Sequence, residues 1–90
     1  MSKENAITII RHYGLRNQIR KFAEEAFELQ EALIMAASGH GYISNVTEEI
    51  ADVEVLLAQI KQLYNINQKT IDEIADYKIA RQIERINKKE

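Results

Sequence analysis

Apolar side chains recur at three- and four-residue spacing along most of the chain, a pattern that predicts α-helices throughout. The first predicted helix is short and runs from Lys3 to His12, and Gly14 is expected to end it. The apolar side of this helix consists of Ile7, Ile9 and Ile10. The pattern therefore gives one short amphipathic helix before a turn.

A second and longer helix is predicted from about Leu15 to Ala37. Projected at about 100° per residue, its apolar stripe contains Leu15, Ile19, Phe22, Ala26, Leu29 and Leu33. A second stripe follows one edge of that face and consists of Gln18, Lys21, Glu25, Glu28 and Ala32. Glu24 and Glu31 project to the opposite, solvated side. The glutamates of the segment Glu24-Glu25-Ala26-Phe27-Glu28 are therefore not equivalent, because only Glu25 and Glu28 lie beside the apolar face.

The clearest break in the chain is Ser38-Gly39-His40-Gly41, where two glycines flank a histidine. A third helix is predicted from near Val46 to about Tyr64. Asn45 is the expected N-cap, and Glu48 completes a pattern like a capping box. These features predict that the third helix begins after a loop of several residues.

Two acidic residues fall on the buried face of the third helix. That face is predicted to contain Val53, Leu56, Ile60 and Leu63. Glu49 and Asp52 project into the middle of it, one helical turn apart, whereas Glu48 and Glu54 project outward. The third helix, like the second, thus carries a pair of carboxylates next to apolar residues.

A fourth helix is predicted from about Gln68 to near Lys88, after a break at Asn65-Ile66-Asn67. Its apolar residues are Ile71, Ile74, Ala75, Ile79 and Ile86. Lys78 falls within this face, and Arg81 and Arg85 lie at its edge. The expected fold class is all-α, an antiparallel bundle of one short and three long helices.

Composition narrows the class of protein. Ninety residues make one domain, spanning residues 1–90, and so small a core makes completion by oligomerisation plausible. The absence of proline favours helix, and the absence of cysteine excludes a thiolate metal site and a thiol nucleophile. Neither a membrane-spanning run nor a signal peptide is expected, so we expect a cytoplasmic protein without a membrane partner. A net charge of −2 gives no general attraction for nucleic acid.

The four carboxylates that face inward, Glu25, Glu28, Glu49 and Asp52, predict a metal site. Most helical glutamates are solvated, and that interpretation suits Glu24, Glu31, Glu48, Glu54 and Glu84. Buried acids, however, need a partner, and the available internal cations are Lys21, Lys78, Arg81 and Arg85. Ligation by oxygen alone suits Mg²⁺, with Mn²⁺ as a possible substitute. Because Mg²⁺ usually keeps waters and accepts substrate phosphates, the adjacent basic residues point to a phosphorylated substrate.

The chain resembles the MazG-like, all-α nucleoside triphosphate pyrophosphohydrolases, and it looks most like the small single-domain members from phages and prophages. The family signature is E-E-x-x-E followed, after a variable gap, by E-x-x-D. The sequence has Glu24-Glu25-x-x-Glu28, then 20 residues, then Glu49-x-x-Asp52. Lys78 and Arg81 match a basic pair often found on the last helix of the family.

The resemblance implies an activity and a set of roles. Glu25, Glu28, Glu49 and Asp52 would be catalytic residues and metal ligands. A (d)NTP would be hydrolysed between its α and β phosphates to (d)NMP and pyrophosphate. Lys78, helped by Arg81, would stabilise the departing pyrophosphate. The family usually builds its site in a homodimer, sometimes within a homotetramer.

Other residues and other functions stay open. Gln18 and Lys21 would contact substrate, although Lys21 would equally well pair with a neighbouring glutamate. His40 is interpreted as a mobile loop residue without a role rather than as a contact for a base or a phosphate. Tyr13, Tyr42 and Tyr77 are interpreted as packing or interface groups rather than groups that stack on a base. The alternative functions are a phosphoribosyl-ATP pyrophosphohydrolase and a non-catalytic helical protein that binds nucleotides or a partner.

Overall fold

The computed structural model describes residues 1–88, and most of these residues are helical. Four helices follow one another, namely α1 (Lys3–Tyr13), α2 (Leu15–Ala37), α3 (Ile43–Leu63) and α4 (Gln68–Asn87). The all-α class is therefore confirmed. The bounds of α2 agree with those predicted, and α1 and α4 differ from prediction by about one residue at one end.

Helix α3 begins three residues earlier than predicted, and the predicted cap is wrong. Tyr42 occupies the N-cap position and provides no side-chain cap. The backbone N–H groups of Asn45 and Val46 donate to the carbonyl of Tyr42, at 3.1 and 3.4 Å. Asn45 therefore lies inside the first turn of α3, and the expected capping box with Glu48 does not form. The connection from α2 is shortened accordingly to residues 38–42.

The packed part of the molecule consists of α1, α2 and α3. α2 packs along α3, and α1 lies against both. The buried apolar residues are Ala6, Val46 and Leu56, and two amides, Gln18 and Gln59, are buried with them. Ser2 caps α1 by accepting a hydrogen bond from the N–H of Asn5 at 3.0 Å. This small core holds α2 and α3 side by side, which is what positions the acidic residues.

Helix α4 packs against none of the other three helices over the described residues. It contains no buried residue, and its apolar side chains Ile74, Ile79, Ile83 and Ile86 are exposed. Across the connection between α3 and α4, Lys61 Nζ donates to Gln68 Oε1 at 2.8 Å. The predicted bundle is therefore not completed by α4 within one chain, and Lys78 lies on an exposed helix instead of facing an interior.

The solvent-accessible surface of the chain is larger than expected for a folded monomer of its mass. Its accessible surface is 7322 Å². A folded monomer of 10.4 kDa is expected to expose about 5,400 Å². The Cα radius of gyration is 16.4 Å, against about 12 Å for a compact chain of this length. Ile19, Phe22 and Leu33, predicted to be core residues of α2, are 53%, 37% and 48% exposed.

Candidate metal centre

Three carboxylates from two helices meet at the α2–α3 contact. One oxygen each from Glu25, Glu49 and Asp52 lies within 4.8 Å of the others. The helical repeat explains the grouping, because residues 25 and 28 share a face of α2 and residues 49 and 52 share a face of α3. The packing of α2 along α3 turns these two faces toward each other. We refer to Glu25, Glu49 and Asp52 as the acidic cluster.

Two members of the acidic cluster are partly buried without a hydrogen bond or salt bridge from the described residues to offset their charge. Glu25 and Glu49 are half-buried, and the Oε2 atom of each is buried without a hydrogen-bond partner among the described residues. Asp52 is exposed, at the rim of the cluster, rather than in the middle of the buried face as predicted. No residue of the acidic cluster forms a salt bridge within residues 1–88. Orphaned carboxylate oxygens of this kind are costly unless a cation satisfies them.

The electrostatics reflect this unsatisfied charge. Burial is the main cause that raises the pKa of Glu25, followed by repulsion from Glu28 and Asp52. Burial also raises the pKa of Glu49 above its ordinary value, again followed by repulsion from Glu28 and Asp52. The pKa of each carboxyl is raised first because water is partly excluded and second because its neighbours have the same sign. A divalent cation would reverse this effect, since it favours the charged form of every ligand.

Glu28 was predicted as a fourth ligand and lies beside the cluster. It is exposed, and its carboxyl comes close enough to raise the pKa of both Glu25 and Glu49. It does not belong to the group of oxygens within 4.8 Å of one another. The structure therefore brings three of the four predicted ligands together and places Glu28 at their edge.

The acidic oxygens fit a hard divalent cation. The donors are carboxylate oxygens from two helices, and such donors suit Mg²⁺ and Mn²⁺. The strongest indication is the pair of orphaned, buried Oε2 atoms of Glu25 and Glu49, because buried carboxylates are normally paired or coordinated.

A cavity of about 370 Å³ adjoins the acids. Glu28 and Glu49 form one side of it, and Met35 and Tyr42 contribute to its walls. Glu31 also lines this cavity, although its projection on α2 predicted a purely solvated position. Its spacing of three residues from Glu28 was the available signal, since such residues lie one turn apart on the same side of a helix.

The other predicted substrate contacts are not gathered at the acidic cluster. Lys78 and Arg81 lie exposed on α4, where the Arg81 guanidinium lies 6.0 Å from the centroid of the Tyr77 ring. Gln18 is only 6% exposed, and Lys21 is exposed beside it in a shallow groove that also contains Glu24. Lys21 forms no salt bridge with another described residue, so the predicted pairing with Glu25 or Glu28 is not seen.

Comparisons with protein-family models, with curated proteins and with solved structures find no match. No described helix combines the length and the apolar character that crossing a membrane requires.

Proposed function

We propose that the protein is a Mg²⁺-dependent nucleoside triphosphate pyrophosphohydrolase that cleaves a (d)NTP between the α and β phosphates. The observation that supports this proposal best is the convergence of Glu25, Glu49 and Asp52 within 4.8 Å. These are the positions that the resemblance to MazG-like enzymes assigns to metal ligation. The fold class agrees with that family, and the family assignment itself rests on the two acidic motifs.

Glu25, Glu49 and Asp52 would hold the metal, and Glu28 would complete the acidic edge that faces the substrate. When bound, Mg²⁺ supplies a Lewis acid that neutralises charge on phosphate oxygens and lowers the pKa of water. The half-buried positions of Glu25 and Glu49 keep their oxygens aimed at one point and shield them from bulk water. Because these residues lie on packed helices, their geometry is set before substrate arrives.

A homo-oligomer is part of the proposal. The exposed surface exceeds the expected value by about 1,900 Å² per chain. If each of two chains buried that area, the total of about 3,800 Å² would lie in the range of obligate interfaces, about 2,000–5,000 Å². The unpacked face of α4 and the apolar groove between Phe22, Leu56 and Ile60 are surfaces that such an interface would cover. In an oligomer, Lys78 and Arg81 would reach the acidic cluster of a second copy and stabilise the departing pyrophosphate.

Product analysis tests the activity directly. The protein is incubated with each of the common NTPs and dNTPs and Mg²⁺, and the products are separated by ion-exchange chromatography. We expect nucleoside monophosphate and pyrophosphate in equal amounts. Release of inorganic phosphate with a nucleoside diphosphate would contradict the cleavage position. Nucleotide binding without any product would support a non-catalytic module, and turnover of phosphoribosyl-ATP alone would support that branch of the family.

A further inference from the structure

The cavity beside Glu28 and Glu49 is the natural place for whatever is attached to the metal-bound phosphates. It lies between the C-terminal half of α2, residues 38–42 and the first turns of α3. Its volume of about 370 Å³ falls within the range of small-molecule sites, about 300–1,000 Å³. The cavity shares Glu49 with the acidic cluster and also contains Glu28 at the edge of that cluster, so a nucleotide bound at the cluster would extend into the cavity.

The wall that residues 38–42 form is held against α2. Gly39 has a φ of 77°, and the N–H of His40 donates to the carbonyl of Met35 at 2.9 Å. A Cβ atom at Gly41 would lie 2.9 Å from the backbone nitrogen of Ala36. Only glycine allows that approach without displacing the backbone. The loop is thus fixed at its two glycines, and its position defines one wall of the cavity.

The lining combines apolar surface with the polar side chains of Glu28, Glu31, His40, Asn45 and Glu49. Ala32 and Met35 provide an apolar wall, and Tyr42, 74% exposed, presents an aromatic ring at the edge. Glu31 and Asn45 bring a carboxylate and a carboxamide. Glu31 has no hydrogen-bond or salt-bridge partner within the described chain. An apolar wall beside several hydrogen-bonding side chains suits a nucleobase, which has apolar ring faces and polar edges.

We propose that this cavity binds the nucleobase and that Glu31 makes the protein select guanine. The inference rests on the proposed function, since it assumes that the phosphates lie at the acidic cluster. An ionised carboxylate only accepts hydrogen bonds, and its two oxygens match two adjacent N–H donors. Guanine presents such a pair at N1 and N2, and the Asn45 carboxamide supplies a donor for its O6. Uracil and thymine present carbonyl oxygens on both sides of a single N–H, which the carboxylates of this cavity would repel.

Steady-state kinetics of the full-length protein with GTP and UTP and Mg²⁺ test the selection. The wild-type protein should show a kcat/KM for GTP at least about tenfold above that for UTP, because a bidentate pair discriminates by about that factor or more. Glu31→Gln should reduce the GTP/UTP ratio by about tenfold, since one accepting oxygen is replaced by a donor. Glu54→Gln, which removes the same charge from an exposed position on α3, should keep the wild-type ratio.

Calorimetric titration with GMP and UMP in the presence of Mg²⁺ gives a readout that is independent of turnover. GMP should bind more tightly than UMP, and Glu31→Gln should remove that difference. Equal kcat/KM values for GTP and UTP, or a GTP/UTP ratio that Glu31→Gln leaves intact, would overturn the assignment of Glu31, while hydrolysis to pyrophosphate would still support the proposed function. Neither binding nor hydrolysis of any nucleotide would overturn both.

Discussion

Glu25 and Glu49 lie on different helices, and each directs a buried, unpartnered Oε2 atom into the same acidic cluster. Within the described chain neither carboxylate has a salt bridge to offset its charge. Since buried acids without partners oppose folding, the pair is more easily explained as a site for a cation than as a structural contact.

The raised pKa values of Glu25 and Glu49 predict an unusual dependence of stability on pH. In the unfolded chain both carboxyls titrate near 4.5, whereas in the folded protein they hold their protons to higher pH. The folded state therefore binds more protons between 4.5 and the raised pKa values. In that window, the free energy of unfolding should rise as pH falls, and this contribution is fully lost above the raised pKa values.

Urea unfolding without metal, followed by circular dichroism from about pH 7 to about pH 5, measures this effect. With saturating Mg²⁺ the trend should reverse, because the metal binds the ionised carboxylates and acidification displaces it. Glu49→Gln should weaken the dependence on pH in the absence of metal. A metal-free protein that loses stability over the same window would contradict the repulsion between these acids.

Removing one carboxylate of the acidic cluster should raise the stability of the metal-free protein and lower the activity with Mg²⁺. Glu49→Gln should raise the melting temperature of the metal-free protein, because it removes a charge that its neighbours repel. It should also abolish the increase in melting temperature on adding Mg²⁺. Turnover should fall by at least about a hundredfold, since even residues that only orient the ligands of a metal contribute about 10- to 100-fold.

Glu54→Gln is the matched control for that experiment, since it lies on the same helix, is exposed and lies outside the acidic cluster. It should leave the Mg²⁺-dependent shift and the turnover close to wild type. If Glu49→Gln retained both, the acidic cluster would not be the metal site.

The helical pattern was sufficient to predict that Glu25 and Glu49 share an interior, because a repeat of 3.6 residues fixes which face each residue occupies. The pattern did not predict that Glu31 lines a cavity. Its spacing from Glu28 indicates a shared side of α2, but the cavity itself forms only where the loop folds back onto α2. Nor did the pattern place α4, whose apolar residues suggested a buried face although α4 packs against no other helix within residues 1–88. Amphipathicity shows that a helix needs a covering surface and does not say which molecule supplies it.

The two loop glycines should differ in how their substitution acts. Gly41→Ala would bring its Cβ to 2.9 Å from the nitrogen of Ala36 and must displace the loop from α2. We expect a loss of selectivity between GTP and UTP together with lower stability. Gly39→Ala meets no atom within 4 Å but must adopt a φ of 77°, which costs about 1–2 kcal/mol for an L-residue.

Urea unfolding and the GTP/UTP ratio, measured for both variants, distinguish the two effects. Gly39→Ala should lower stability with little change in the ratio, whereas Gly41→Ala should change both. A Gly41→Ala protein with wild-type selectivity would show that the loop wall does not contact the base.

The exposed apolar face of α4 should mediate self-association. Ile79, 58% exposed, lies on that face, and Ile79→Glu would place a charge in the proposed interface. We expect sedimentation equilibrium to show that the wild-type protein is an oligomer and that Ile79→Glu is a monomer. The variant should also lose turnover in the product assay. Thr70→Glu adds the same charge near the start of α4 at a polar position and should leave the oligomer intact. A monomeric wild-type protein would contradict the proposed interface.

Mixing two inactive variants tests whether Lys78 serves the acidic cluster of another copy. Asp52→Asn and Lys78→Ala should each be inactive alone. If Lys78 acts on a neighbouring chain, a mixed dimer contains one site with both residues intact and one with neither. Refolding the variants together in equal amounts should then restore up to about a quarter of wild-type turnover, because half of the dimers formed at random are mixed. If Lys78 acts within its own chain, no mixed site is intact and the mixture stays inactive.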